Sequence, residues 1–148
     1  MPTYKSNAKK IIGNLSKKFN RLSKVEMDKI TRTAALTLQA DLLNRVFQDG
    51  KASNGEGIGE YSKGYARLRQ SKGRQVQKVD LHFTGKLLND FVVLGKNANY
   101  FLGFRSEYGK NVSEENERRF KKVIFNSTKA ERDIIMRIFE GGIKLVLR

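Results

Sequence analysis

Residues 57–85, GIGEYSKGYARLRQSKGRQVQKVDLHFTG, combine glycines with basic side chains, which is the composition of loops that hold phosphate groups. The alternate glycines at 55–59 match the start of a dinucleotide-binding loop, but Glu60 occupies the position of its final glycine. The segment 59–64 has the glycine spacing of a P-loop, yet Tyr65-Ala66 stands where that loop needs lysine and a hydroxyl residue. Neither phosphate-binding motif is therefore complete.

The residues that hold metals or activate nucleophiles are sparse. His82 is the only histidine and there is no cysteine, which makes a zinc site improbable. A magnesium-dependent nuclease needs two or three clustered acids, but here the acids lie mostly at helix caps or on helix faces. The sequence thus predicts a protein that is not an enzyme, with no catalytic residues, metal or cofactor, and leaves a nuclease as a distant alternative.

Basic side chains follow one another between Tyr61 and Val79 without an intervening acid. They are Lys63, Arg67, Arg69, Lys72, Arg74 and Lys78. Positive charge alone predicts contact with phosphates without sequence preference, and it does not predict base readout. Tyr61 and Tyr65 are available to stack, but the segment has neither the aromatic pattern of RNA-binding sheets nor helix-turn-helix spacing. It predicts proximity to DNA, RNA or an acidic protein surface.

The whole chain is strongly basic, with a formal net charge of +15 over 148 residues. A field of that size attracts polyanions and repels like molecules. The length fits one domain, and 39% hydrophobic with 30% charged residues fits a small core under a large solvated or partner-facing surface. Residues 1–24 contain basic residues and no acid, which predicts a basic N-terminal arm before a single domain at 25–148.

Targeting signals are not apparent in the sequence. The only apolar pair near the start is Ile11-Ile12, where a signal peptide needs a longer apolar run. No uncharged apolar stretch approaches the roughly 18 residues of a membrane span. We therefore expect a protein of the cytosol, or of a particle assembled there, without membrane contact.

A long helix is predicted for residues 24–48, ahead of the basic stretch. Ser23–Glu26 form a capping box, and Gly50 is a natural stop. The apolar stripe recurs at helical spacings through Met27, Ile30, Ala34, Leu38, Leu42 and Val46.

The region after the long helix is predicted to be an extended arm at about 49–82. Its first part, 49–61, is rich in glycine and holds too few apolar groups to bury. Ser62 is placed to cap a short helix through Arg69, which Gly73 ends, and the chain then becomes extended.

Two apolar runs, 91–94 and 100–104, flank a turn-rich 95–99 and predict a β-hairpin. Both faces of these strands are apolar, so each face is expected to pack against another element or another subunit. The long helix is expected on one face, and a second helix or another subunit on the other.

Two further helices are expected near the C-terminus. Ser113 precedes an acidic first turn, and Thr128–Glu131 form a second capping box. Gly141-Gly142 should end or loosen the final helix. The order helix, loop, hairpin, helices predicts an α+β domain with the long helix packed on a small antiparallel sheet.

Residues 31–94 resemble the tail-completion (virion morphogenesis) and neck proteins of tailed bacteriophages. The matching positions after the long helix and glycine-rich stretch are Tyr61-Ser62, Arg67, Lys72, Val79-Asp80-Leu81 and Thr84-Gly85-Lys86-Leu87. The later RRFKKVIFNSTKAERDIIMRIF is similar to the family's closing element, so the resemblance spans about 25–140. The chain departs from the family in lacking prolines around the hairpin and before the last helix.

The resemblance implies a structural virion protein, assembled in the host cytoplasm, that forms a ring at the head–tail junction or the head-proximal end of the tail. Its partners would be copies of itself, other proteins of the junction or tail tube, and double-stranded DNA contacted without sequence preference. The arm would lie across the next subunit, through Tyr61, Tyr65, Val79 and Leu81, and its basic residues would face DNA or that neighbour. Charge alone leaves open a nucleoid- or ribosome-type protein that binds nucleic acid without sequence preference.

Overall fold

A computed structural model describes residues 24–148. The predicted basic arm at 1–24, apart from Lys24, and Ser23 of the first capping box lie outside the described residues. The described part has five α-helices and a two-stranded antiparallel sheet, which confirms the α+β class. The elements are α1 (Lys24–Leu43), a π-helical turn (Asn44–Gln48), α2 (Lys63–Ser71), α3 (Lys86–Asp90), β1 (Phe91–Lys96), β2 (Asn99–Phe104), α4 (Glu107–Phe120) and α5 (Lys129–Leu147).

The long first helix spans the predicted residues, but its last turn is wider than an α-helix. α1 ends at Leu43 and the π-helical turn continues to Gln48. Gly50 follows with a φ of 65°, and a Cβ there would lie 2.6 Å from the carbonyl oxygen of Val79. Both the backbone angle and the close approach therefore require glycine at this stop.

The hairpin forms with Phe91 opposite Phe104 and Lys96 opposite Asn99. Its turn is the pair Asn97-Ala98, with φ of 54° and 64°, so the predicted turn at 95–99 was too long. A two-residue turn with positive φ at both positions matches the twist of the flanking strands, which lets pairing continue to the turn itself.

The two faces of the hairpin differ in how far the rest of the chain buries them. Side chains alternate along a strand, so Phe91 and Phe104 share one face, which packs on the core and on Phe125. The opposite face carries Val92, Leu94 and Phe101. Val92 and Leu94 are only partly buried and Phe101 is 60% exposed. This outer face is therefore incompletely covered within the chain.

The core lies where the end of the long helix, the hairpin and the glycine-rich segment meet. Its buried residues are Leu42, Val46, Phe47, Ala52, Ile58, Val79, Leu87, Phe91 and Ile124. Ala52 and Ile58 come from the segment that the sequence suggested could bury little, and both are almost fully enclosed. That expectation is corrected, because two well-placed apolar side chains anchor a loop that is otherwise polar.

The C-terminal helices differ from the prediction at the start of α4 and in the continuation of α5 past its two glycines. α4 starts at Glu107 with Ser106 as its cap, while Ser113 lies inside the helix and donates to the carbonyl oxygen of Lys110. α5 has the predicted Thr128 capping box and continues through Gly141-Gly142 to Leu147. A Cβ at Gly142 would lie 2.8 Å from Ile30 Cγ1, so this glycine serves the close approach of α5 to α1.

Candidate polyanion interface on the basic segment

The basic segment, residues 61–83, is organised around α2. Ser62 caps this helix by accepting from the backbone N–H of Tyr65 at 3.4 Å, as the sequence predicted. Gly73 ends it with a φ of 66°, where its N–H donates to the carbonyl oxygen of Gln70. The helix gives its basic side chains a fixed spacing that an extended arm would lack.

Arg69 does not face outward with the other cations, because its side chain is enclosed in the segment. Its Nε donates to the carbonyl oxygen of Gln75 at 2.9 Å, and its Nη2 donates to Asp80 Oδ1 at 3.0 Å. The residue is 1% exposed. The expectation that Arg69 contacts DNA or a neighbouring subunit is corrected, since its charge is neutralised inside the chain.

Asp80 is the acceptor at the centre of this arrangement. Its Oδ1 also accepts from the hydroxyl of Tyr61 at 2.9 Å and from the N–H of His82 at 3.0 Å, while its Oδ2 accepts from Gln75. Burial alone would raise the pKa of the Asp80 carboxyl, but these hydrogen bonds and the charge of Arg69 hold it below its usual value. Asp80 is therefore a carboxylate in the folded protein at neutral pH.

Three aromatic rings surround the Arg69 guanidinium. Its Cζ lies 4.4 Å from the ring centroid of Tyr61 and 5.9 Å from those of Tyr65 and Phe83. Tyr61 and Tyr65 also pack edge to face, with centroids 5.3 Å apart. Burial raises the pKa of Tyr61 to about 12. Both tyrosines thus hold the segment closed, and Tyr61 in particular is committed to contacts within the chain.

Two of the predicted inter-subunit contacts also lie against the chain's own core. Val79 is 1% exposed and belongs to the core, so its assignment to a neighbouring subunit is corrected. Leu81 is half-buried against the same core, with a φ of 50°. An apolar pair flanking Asp80 therefore anchors the end of the segment.

The remaining cations of the segment are exposed: Lys63, Arg67, Lys72, Arg74 and Lys78. Within residues 24–148 the salt bridges are formed by other side chains. No acid lies between Tyr61 and Val79 in the sequence, and we call these five exposed cations, on a short helix and its following loop, the cationic surface. Such a surface is suited to phosphates or to acidic groups of another protein.

A second buried arginine was not singled out from the sequence. Arg45 donates from Nε to Glu131 Oε1 at 2.7 Å and from its other nitrogens to the carbonyl oxygens of Lys51, Ile124 and Asn126. It thus joins the end of the long helix to the start of α5. The signal in the sequence was that the polar pair Asn44-Arg45 interrupts the apolar residues 42–47, and that Asp80 stands between the apolar residues Val79 and Leu81.

Residues 24–148 contain no cluster of three or more histidine, cysteine or acidic side chains that could hold a metal ion. Over the same residues, no helix combines the length and apolar character needed to cross a bilayer. Comparisons with models of known protein families, with curated protein sequences and with solved structures found no match to this chain.

Proposed function

We propose that this protein is a structural subunit of a tailed-bacteriophage virion, in which copies form a ring at the neck or the head-proximal end of the tail. The sequence resemblance described above motivates this assignment. In this proposal the subunit is assembled in the host cytoplasm, joins other proteins of the head–tail junction or tail tube, and performs no catalysis.

The observation that carries the proposal is the outer face of the hairpin. Val92, Leu94 and Phe101 form an apolar surface there, and Phe101 is 60% exposed. The register places Leu94 directly opposite Phe101, so the surface is continuous across the two strands. Exposed apolar surface of this kind is characteristic of a protein contact, and a contact between different surfaces of identical subunits forms a ring when the rotation between neighbours closes.

The two longest helices add to the apolar surface available for assembly. α1 buries only Ala34, Ala35 and Leu42, and α5 buries only Glu131. Leu36 on α1 and Met136 on α5 are 47% and 58% exposed. Helices with so few buried residues are more typical of subunits that gain cover from neighbours than of a self-sufficient core.

In the proposed ring, the cationic surface would bind DNA. Its five exposed side chains would hold a duplex in the channel by phosphate contact, without base readout. The same surface favours a second candidate function, a nucleic-acid-binding protein without sequence preference that acts as a monomer or dimer. Oligomeric state distinguishes the two functions, because only the ring requires the outer face of the hairpin.

The proposal is tested by replacing Leu94 and Phe101 with threonine, which retains strand propensity. The matched control is Val123→Thr, because Val123 is 52% exposed but lies outside the hairpin. Sedimentation velocity should show that the double variant no longer assembles and that the control does, with both retaining the far-ultraviolet circular dichroism of the wild type. Assembly that survives the double substitution would contradict a contact through this face.

A further inference from the structure

A cleft opens between the basic segment and helices α3 and α4. We call it the aromatic cleft, and its volume is about 260 Å³. The side chains that define it are Tyr65, Phe83, Lys86, Tyr108, Arg119 and Phe120. The volume is below the roughly 300–1,000 Å³ of pockets that enclose small-molecule ligands, so it suits one or two inserted side chains.

The aromatic cleft carries basic side chains. Among residues 24–148, its lining includes Arg69, Lys86 and Arg119 and no acidic side chain. Asp80 neutralises Arg69 from within the basic segment, whereas Lys86 and Arg119 are exposed. Lys86 Nζ lies 3.9 Å from the ring centroid of Tyr108, which holds one of these charges beside an aromatic surface. The cleft therefore presents two accessible cations beside an aromatic floor.

This combination of groups favours a protein ligand over nucleic acid. Aromatic residues and arginine are enriched at protein interfaces, and the cleft offers both, with Arg119 as its accessible arginine. A duplex presents its phosphates on a convex surface and would leave the recessed rings uncontacted. Base stacking requires an unpaired base, which an intact duplex does not present.

We propose that the aromatic cleft binds an acidic segment of another protein. An aromatic or aliphatic side chain of that segment inserts among Tyr65, Phe83 and Phe120, and flanking carboxylates pair with Lys86 and Arg119. This site is separate from the outer face of the hairpin, so it stands or fails independently of ring assembly.

The test uses a fluorescein-labelled, end-blocked pentapeptide, Asp-Asp-Phe-Asp-Asp, with fluorescence anisotropy as the readout. Replacing Lys86 and Arg119 by glutamine should weaken binding by at least about tenfold, because the peptide carboxylates then have no cationic partner in the cleft. The control replaces Lys51 and Lys144, two exposed lysines on parts of the chain that do not line the cleft, by glutamine and removes the same charge. It should change affinity by less than about twofold, since exposed charges at a distance are screened.

Peptide controls separate insertion from simple charge attraction. Asp-Asp-Gly-Asp-Asp and Asn-Asn-Phe-Asn-Asn should both bind more weakly than the parent peptide. Titration of the wild-type protein should shift the backbone amide resonances of α3, α4 and residues 61–83. Three results would each overturn the proposal. They are an equal loss of peptide affinity in the two charge variants, an equal affinity of the wild type for the glycine and phenylalanine peptides, and no binding of the parent peptide by the wild type. So would a DNA duplex that displaces the peptide and is itself weakened by the Lys86 and Arg119 substitutions.

Discussion

Arg69 Nη2 donates to Asp80 Oδ1 at 3.0 Å, and both side chains are buried within a segment whose other cations are exposed. The pair closes residues 61–83 on themselves and leaves five cations outside. The segment is therefore a shaped surface presented by the subunit. Its own hydrogen bonds and the burial of Val79 against the core hold it in place within the chain.

The first prediction concerns this pair. Asp80→Asn should lower the free energy of unfolding by about 3–5 kcal/mol, because Arg69 would remain buried without a counter-charge. Urea denaturation provides the measurement, and trypsin should also cut residues 63–78 faster. Lys72→Gln, at an exposed position, is the control and should leave stability within about 0.5 kcal/mol of wild type. An Asp80 variant as stable as this control would show that the pair does not hold the segment closed.

The second prediction concerns pH. Burial raises the pKa of Tyr61 to about 12, above its ordinary value of about 10. The folded state therefore retains this proton more strongly, so the stabilisation is complete below pH of about 10 and is lost as pH rises toward 12. Tyr61→Phe should be less stable than wild type at pH 7, and this difference should shrink between those pH values. A stability difference between Tyr61→Phe and wild type that stays constant over these pH values would refute the assignment.

The third prediction concerns the hairpin turn. Ala98 has a φ of 64°, a conformation that disfavours residues with a side chain, and its N–H donates to Asp28 Oδ1 at 2.8 Å. Ala98→Gly keeps that hydrogen bond and removes the strain, so we expect a gain of about 0.5–1 kcal/mol in thermal or urea unfolding. Ala40→Gly, at an exposed position within α1, should instead lose about 1 kcal/mol. Destabilisation by Ala98→Gly would show that the turn has a different conformation.

The fourth prediction concerns Arg45. Arg45→Met should lower the free energy of unfolding by about 3–5 kcal/mol, because it leaves Glu131 buried without its partner and removes donors from three carbonyl groups. Chemical denaturation measures the loss. Arg137→Met, at an exposed position on α5, is the control and should have little effect. Equal stability of the two variants would contradict the joining role of Arg45.

The fifth prediction concerns the cationic surface. The variant replaces its five exposed residues with glutamine: Lys63, Arg67, Lys72, Arg74 and Lys78. The slope of log DNA affinity against log salt concentration should then become less steep, by about 0.9 for each phosphate that is no longer neutralised. The fold should persist because Arg69 is kept. Random and defined duplexes should bind alike before and after the change. Tight preference for one sequence would identify a DNA reader and exclude the ring proposal.

Local signals in the sequence predicted much of the fold. The caps at Ser62 and Thr128, the stop at Gly50 and the apolar runs of the hairpin act over a few residues, so spacing alone indicates them. The start of α4 was misplaced because the acidic run after Ser113 resembles a first turn. In the structure Glu117 of that run accepts from the N–H groups of Ile124 and Phe125 at the opposite end of the helix.

The buried polar groups could not be predicted in the same way. Arg69 is spaced in the sequence like the other cations of its segment. It is buried because the chain after α2 folds back and places Asp80 against its guanidinium. Arg45 meets Glu131 across 86 positions of sequence, which no local pattern records. The sequence therefore indicated the charge of the candidate interface correctly but not which of its cations are accessible.

Ring formation by the wild-type protein is the central claim, and electron microscopy of negatively stained particles tests it most directly. The purified protein, at moderate salt and increasing concentration, should show closed rings of uniform diameter with a central channel. Mass photometry of the same samples should give one dominant oligomer with a mass that is a whole multiple of the 16.9 kDa chain. A protein that stays monomeric at its highest soluble concentration and forms no ring on duplex DNA would contradict the account.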